Sequence, residues 1–323
     1  MKKLLFFLSL GMFSCTAVDS VKELAEDDVE KVEIKIADML CDSPESRMNV
    51  TANVKYMWQA NDTIGIFPTV GGQVEFPITL AEGEETDVAT FTGGGWALKG
   101  GYEYMAYFPY DFYNRKSTDV KFSFIGQNQI GHDNRMHLSN FVPLVAGPTK
   151  VTNGAINFIL YNQETLFRLD LTLPEATTYE TIKLYTENKL SLPVEKSYDI
   201  LTSKVEKVGN TVNVSIEEEC LAYATNLNVG LDVTTTTKNQ TVRVWITFPY
   251  VDLGTETLKV EAMDKNGFVY FGEVKNNADG SALQLSLKRN RAYPLKANLE
   301  SRSGVQASIE NWGEDEEIFG EAD

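Results

Sequence analysis

The chain has 323 residues, with 46 Asp and Glu against 29 Lys and Arg, a net charge of -17, 43% apolar residues and only two histidines. The acidic excess repels phosphate backbones and anionic headgroups, which excludes nucleic acid and a membrane surface as electrostatic partners. The apolar content excludes intrinsic disorder and suffices for two buried cores, while two histidines leave little for His-based metal sites or proton shuttles.

Met1-Lys2-Lys3 is followed by the apolar run Leu4 to Leu10 and then Gly11-Met12-Phe13-Ser14-Cys15. The run is too short to span a bilayer, which needs about 20 apolar residues, and it predicts a secretion signal over residues 1–14. A small residue immediately before a cysteine resembles the lipobox of bacterial lipoproteins, in which the peptide is cut before Cys15 and the cysteine is acylated. The alternative is a plain secretory signal with Cys15 incidental. Cleavage would remove Lys2 and Lys3, leaving 27 basic and 46 acidic residues, or -19. With Cys15 assigned to lipid, Cys41 and Cys220 remain, either as a disulfide in an oxidising compartment or as two separate thiols.

Residues 15–31 are acidic and free of aromatics, which fits a solvated tether, or alternatively a short amphipathic helix. From Val32 onward the signal is period-two alternation, which sends successive side chains to opposite faces of a strand. It occurs at Val120/Phe122/Phe124, Leu169/Leu171/Leu173, Val212/Val214/Ile216, Leu227/Val229/Leu231/Val233, Val242/Val244/Ile246/Phe248 and Leu283/Leu285/Leu287. Between these runs sit turn formers such as Gly71-Gly72, Gly100-Gly101, Asn153-Gly154, Gly209-Asn210, Asn266-Gly267 and Asp279-Gly280, several of them two-residue hairpin signals. The predicted class is all-β and mostly antiparallel, built as sandwiches or barrels. The polar break Tyr161-Asn162-Gln163-Glu164 divides it into predicted domains 32–162 and 163–323. The final 310–323 stretch holds seven acids and no base, yet also Trp312, Ile318 and Phe319, which is unusual for a solvated tail.

Catalytic signals are weak. His132 and His137 have no Cys or Glu at metal-ligand spacing and read as part of a polar loop, so no metal is expected. No Gly-x-Ser-x-Gly elbow accompanies them. Thr92-Gly93-Gly94-Gly95-Trp96 lacks the Lys-Ser/Thr that would hold a phosphate and reads as a hairpin turn. Paired carboxylates for sugar hydrolysis are a matter of three-dimensional separation that spacing does not reveal. Tyr102/Tyr104 beside Ala106/Phe108 fit sheet packing better than a carbohydrate-stacking face. No catalytic residue is predicted.

Particular segments carry a family likeness. Arg47-Met48-Asn49 followed by Trp58-Gln59-Ala60-Asn61-Asp62-Thr63-Ile64-Gly65-Ile66-Phe67 resembles the N-terminal signature of the fimbrillin superfamily, the type V pilins and related Mfa-like lipoproteins of Gram-negative gut and oral anaerobes. In order come Trp96, Tyr104-Met105-Ala106-Tyr107-Phe108-Pro109, Ile156-Asn157-Phe158 with Phe167-Arg168-Leu169, Arg291-Ala292-Tyr293-Pro294-Leu295, and the closing Ile309-Glu310-Asn311-Trp312. The resemblance covers nearly the whole mature chain.

It implies two tandem transthyretin-like β-sandwich domains with Greek-key-type antiparallel strands. It also implies a lipoprotein precursor acylated on Cys15 with no other cofactor, and a place at the outer membrane and cell surface as a structural or accessory subunit of fimbriae serving adhesion. Partners would be other fimbrial subunits, joined by strand donation, and host or bacterial surface receptors; the membrane would be touched only through the lipid. In related stalk pilins an arginine-specific protease removes the first strand and another subunit's C-terminal strand fills the groove. Arg47 falls where that cleavage would occur, after the candidate strand Val32/Ile34/Ile36, or else is a polar turn residue. Val305, Ala307 and Ile309 with Trp312, Ile318 and Phe319 are the candidate donor strand, or an ordinary last strand. A surface glycan-binding lipoprotein is the rival from another class, and a glycosidase a distant third.

Overall fold

The computed structural model describes residues 31–37, 40–41, 56–93, 97–208 and 211–301. The described chain is all-β, with one short 3₁₀ turn at Met136–Asn140 and no α-helix. The alternating runs form strands because one face of each can be buried: Val120, Phe122 and Phe124 are buried while Lys121 and Ser123 are exposed, and Leu227, Val229, Leu231 and Val233 behave likewise. The Asn153-Gly154 hairpin forms with both residues at positive φ (53° and 69°). It is closed by reciprocal backbone bonds between Thr152 and Ala155 of 2.9 and 3.1 Å.

The N-terminal sheet has seven strands in the order Val74–Pro77, Thr63–Pro68, Glu103–Phe108, Leu144–Lys150, Asn157–Asn162, Lys31–Ile36 and Val88–Thr92. The C-terminal half forms two sheets packed face to face. One carries Gln240–Phe248, Thr165–Leu173 and Arg291–Asn298, and the other Asn226–Thr234, Thr178–Thr186, Asp252–Asp264 and Val269–Glu273. Between them lies a core that includes Leu169, Leu171, Leu184, Val229, Val244, Val260 and Leu295.

Three segments cross the position at which the sequence divides the chain, among them Val120–Ser123, which pairs with Leu192–Val208. Asn128–Ile130 pairs with Asn226–Thr234, and Leu40–Cys41 pairs with Arg291–Asn298. The cores share a wall: Leu166, Trp245 and Ala292 face the N-terminal core, while their strand neighbours Phe167, Ile246 and Tyr293 face the C-terminal one. Opposite faces of one sheet thus serve both.

A long hairpin, Leu192–Val208 and Thr211–Ala224, joins Val120–Ser123 and covers the outer face of the N-terminal sheet. Met105, Tyr107, Val145, Phe122, Tyr198 and Ile200 pack beneath it. The approach is close enough that a Cβ on Gly147 would stand 2.4 Å from the Ser203 carbonyl oxygen, so only glycine fits there. Tyr104, Ala106 and Phe108 occupy the N-terminal core as sheet packing predicts, whereas Tyr102 is 58% exposed just outside the strand.

Candidate strand-exchange site

The strand Lys31–Ile36 is held on both sides. It runs parallel to Asn157–Asn162, with Ile34 opposite Phe158, and antiparallel to Val88–Thr92, with Val32 opposite Phe91 and Ile34 opposite Ala89. Val32 and Ile34 are fully buried while Glu33 and Lys35 face solvent, so the alternation in this segment sets which face enters the core. The Ala37 amide extends the pairing by donating to the Leu160 carbonyl at 2.8 Å.

Trp58 backs the strand. Its indole N–H donates to the Ile34 carbonyl at 3.3 Å. Its ring meets Phe91 and Phe108 edge-on, with centroids 4.9 and 5.1 Å apart. Beside it Asp62 sits in a tight turn opened by Asn61 at φ 74°, accepting from the Gln59 amide at 2.8 Å, and burial pushes its carboxyl up to about 6. Further along, Leu40–Cys41 lies parallel on Arg291 and Ala292 of the C-terminal sheet. One stretch of chain ahead of Arg47 therefore pairs with both halves of the molecule. Withdrawing it would expose the main-chain edges of Asn157–Asn162 and Val88–Thr92 and open an apolar slot sized for alternate side chains of another strand.

Where the two cores meet, a buried ionic cluster takes the place of apolar packing. Glu164 and Lys196 are both fully buried, and the ammonium lies 3.0 Å from the carboxylate, donates to the Tyr250 carbonyl at 3.1 Å and stands 3.3 Å from Glu218. The Tyr198 hydroxyl and the Tyr250 amide donate to the same Glu164 carboxylate. Arg289 closes the circuit at 2.7 Å from Glu218, and donates to the Gln163 carbonyl at 2.8 Å. Burial raises the Glu164 carboxyl, opposed by Lys196 and Arg289, and pushes the Tyr198 hydroxyl far up. With two acids and two bases the cluster is balanced, as a buried charge requires. The polar run that marks a boundary in the sequence is thus interior: Asn162, Gln163, Glu164 and Thr165 are all buried.

Cys15, Arg47, Val305, Ala307, Ile309, Trp312, Ile318 and Phe319 lie outside the described residues. Cys220 is a free, half-buried thiol. The two histidines buttress one strand: His132 Nδ1 accepts from the Arg243 amide at 3.0 Å, and His137 Nε2 lies 3.0 Å from the Trp245 carbonyl. Among the described residues no three His, Cys, Asp or Glu gather as a metal site. Sequence reasoning missed the Trp58–Ile34 hydrogen bond and the Leu40–Cys41 pairing. The first had a signal in the motif tryptophan, but a two-residue strand has no periodicity to detect.

No family model matches the chain, and no curated protein does. Solved structures do. A candidate cell adhesion protein from Bacteroides ovatus is 13% identical at a TM-score of 0.49, with 83% of this chain and 91% of that one covered. One from Bacteroides uniformis is 11% identical at 0.48, covering 85% and 97%. The tip fimbrial protein Mfa3 from Porphyromonas gingivalis, with a C-terminal truncation, is 14% identical at 0.39, covering 85% and 100%. The chain is similar to cell adhesion and fimbrial proteins of Bacteroidales, and likeness of this degree assigns it neither activity nor partner.

Proposed function

We propose that the protein is a non-enzymatic subunit of surface fimbriae, of the fimbrillin type, secreted as a lipoprotein acylated on Cys15 and assembled by strand donation between two-domain, transthyretin-like subunits. One observation carries this reading: Lys31–Ile36, which precedes Arg47, is paired on both sides and puts Val32 and Ile34 into the core. Cleavage after Arg47 would leave it held by pairing alone. Its loss would uncover apolar surface worth about 3–6 kcal/mol for the two side chains, a drive for another strand to take its place. Of the motif residues, Trp58 lines that slot and Asp62 holds the turn beside it. Such a joint persists because many hydrogen bonds must break together, with no cofactor needed.

The test is arginine-specific proteolysis of the purified full chain followed by sizing and mass spectrometry of the products. Cleavage at Arg47 is expected to release the N-terminal segment and yield polymers, and removal of 305–323 is expected to abolish them. Polymers that retain the segment, or that form without 305–323, would overturn the scheme. A glycan-binding reading is favoured only by the exposed pair Phe112 and Tyr113, 57% and 82% exposed and edge-on at 5.8 Å. Polysaccharide affinity lost on Tyr113→Ala, without fibre formation, would select it.

A further inference from the structure

A small cavity of about 200 Å³ opens beside the ionic cluster, walled by Val212 and Val214 of the long hairpin, Tyr250, Lys288, Arg289 and Arg291. No acidic residue lines it. In a chain with 46 acids and 29 bases that composition is anomalous. Arg289 is already engaged by Glu218 and the Gln163 carbonyl, and its guanidinium carbon lies over the Tyr250 ring, 4.3 Å from the centroid. Arg291 is different. It is 9% exposed and fixed by strand pairing to Thr165, and its side chain has no hydrogen bond or ion pair among the described residues. Lys288 beside it is exposed and likewise unmatched among them. Since Glu164 and Glu218 are balanced by Lys196 and Arg289, the cavity carries two cations in excess. No Arg291 nitrogen is enclosed without a partner, so the guanidinium and the Lys288 ammonium both present to the cavity with no counter-charge, which favours an anion there.

The geometry points to a carboxylate-recognition pocket for an acidic peptide, and we propose that its occupant is the chain's own C-terminal segment 310–323. The cavity is smaller than the roughly 300 Å³ at which small-molecule sites begin, so it suits one or two side chains rather than a saccharide. Its aliphatic and tyrosine walls favour acids interspersed with apolar residues. The segment has that character, with seven acids alongside Trp312, Ile318 and Phe319. Reach is ample: Ser301 follows the eight-residue strand Arg291–Asn298, so about 26 Å separates its end from Arg291, and residues 302–323 span up to about 70 Å when extended. Copies of a chain with net charge -17 repel one another, which favours the intramolecular arrangement. Docked there, the acidic segment would keep the candidate donor residues away from other subunits. That consequence rests on the fimbrial reading, whereas the docking does not.

Zero-length carbodiimide cross-linking of the monomeric, uncleaved full chain, using mixed ¹⁴N and ¹⁵N copies and mass spectrometry, tests the docking separately from fibre assembly. The expected result is amide linkage of Lys288 to Glu314, Asp315, Glu316 or Glu317 within single copies, at least about fivefold above linkage of exposed Lys99 or Lys265 to the same acids. Arg291→Gln should lower the Lys288 linkage about fivefold and leave the Lys99 linkages unchanged. Because Arg291 lies in a sheet, a second variant neutralises the four tail acids and leaves the described body intact; it should lose the cross-link and become sensitive to carbodiimide-free binding of an added 310–323 peptide. Links from Lys288 only to Asp38, Asp42 or Glu45, links between copies, or no enrichment at Lys288 would each overturn the proposal.

Discussion

The two cores differ in how they depend on the start of the chain. The C-terminal core draws its central strands from 165–301 and receives from upstream the edge additions Asn128–Ile130 and Leu40–Cys41 and the buried ring of Phe124. The N-terminal core takes an interior strand, Lys31–Ile36, from far upstream of its neighbours. An edge strand can leave and expose one row of main-chain groups; an interior strand exposes two and empties a slot in the core. A removable interior strand makes a domain conditionally complete, and that is the property on which assembly by exchange would depend.

The two cores should part most widely when a charge is placed where the interior strand enters the N-terminal one. Ile34→Asp is expected to cost about 5 kcal/mol or more, and hydrogen-exchange mass spectrometry should find 88–92 and 157–162 deprotected while 240–248 stays protected. Loss of protection in both halves would mean that the cores do not open separately. Next in size is the ionic cluster that joins them. Glu164→Gln should cost about 3–5 kcal/mol in urea denaturation by leaving Lys196 buried without its closest partner, and Glu164→Gln with Lys196→Met should recover much of it. Trp58→Phe removes the indole donor to Ile34 and should cost about 1–2 kcal/mol, with faster exchange confined to 32–36 and its neighbours.

Asp62 gives the N-terminal core a pH dependence. Its carboxyl titrates at about 6 in the folded chain, above the ordinary value of 3.8, so between those values the folded state holds more protons than the unfolded one. Stability contributed at this site is therefore greatest below about pH 4 and declines as pH rises through about 6. Asp62→Asn should remove that decline in thermal melts taken across the range, and an unchanged slope would place its origin elsewhere. The smallest effect is expected at Cys220, a free thiol: Cys220→Ser should change stability by no more than about 0.5 kcal/mol. A larger loss would reveal pairing with Cys41.

The architecture was legible where burial is one-sided. Leu169/Leu171/Leu173 and Val229/Leu231/Val233 announce their strands and faces because the opposite residues stay polar or half-exposed. Asn153-Gly154 announces its turn because few other pairs tolerate two positive φ angles. Legibility failed where a strand is buried twice. Leu166, Trp245 and Ala292 serve the second core from the opposite face of strands whose alternation points Phe167, Ile246 and Tyr293 inward, and that alternation gives no sign that the other face is covered too. It failed again at Glu164, since the sequence shows a charge and not whether that charge is enclosed. Of the candidate site, the strand Val32/Ile34 and the motif tryptophan were readable; the parallel partnership with Asn157–Asn162 was not, because long-range register leaves no local mark.

The parallel alignment of Lys31–Ile36 with Asn157–Asn162 also has a mechanical consequence. A pull on the segment ahead of Lys31, directed along the strand, loads the hydrogen bonds to both neighbouring strands in shear, so they resist together instead of unzipping singly. The strand that proteolysis would make removable is, until then, arranged to withstand traction.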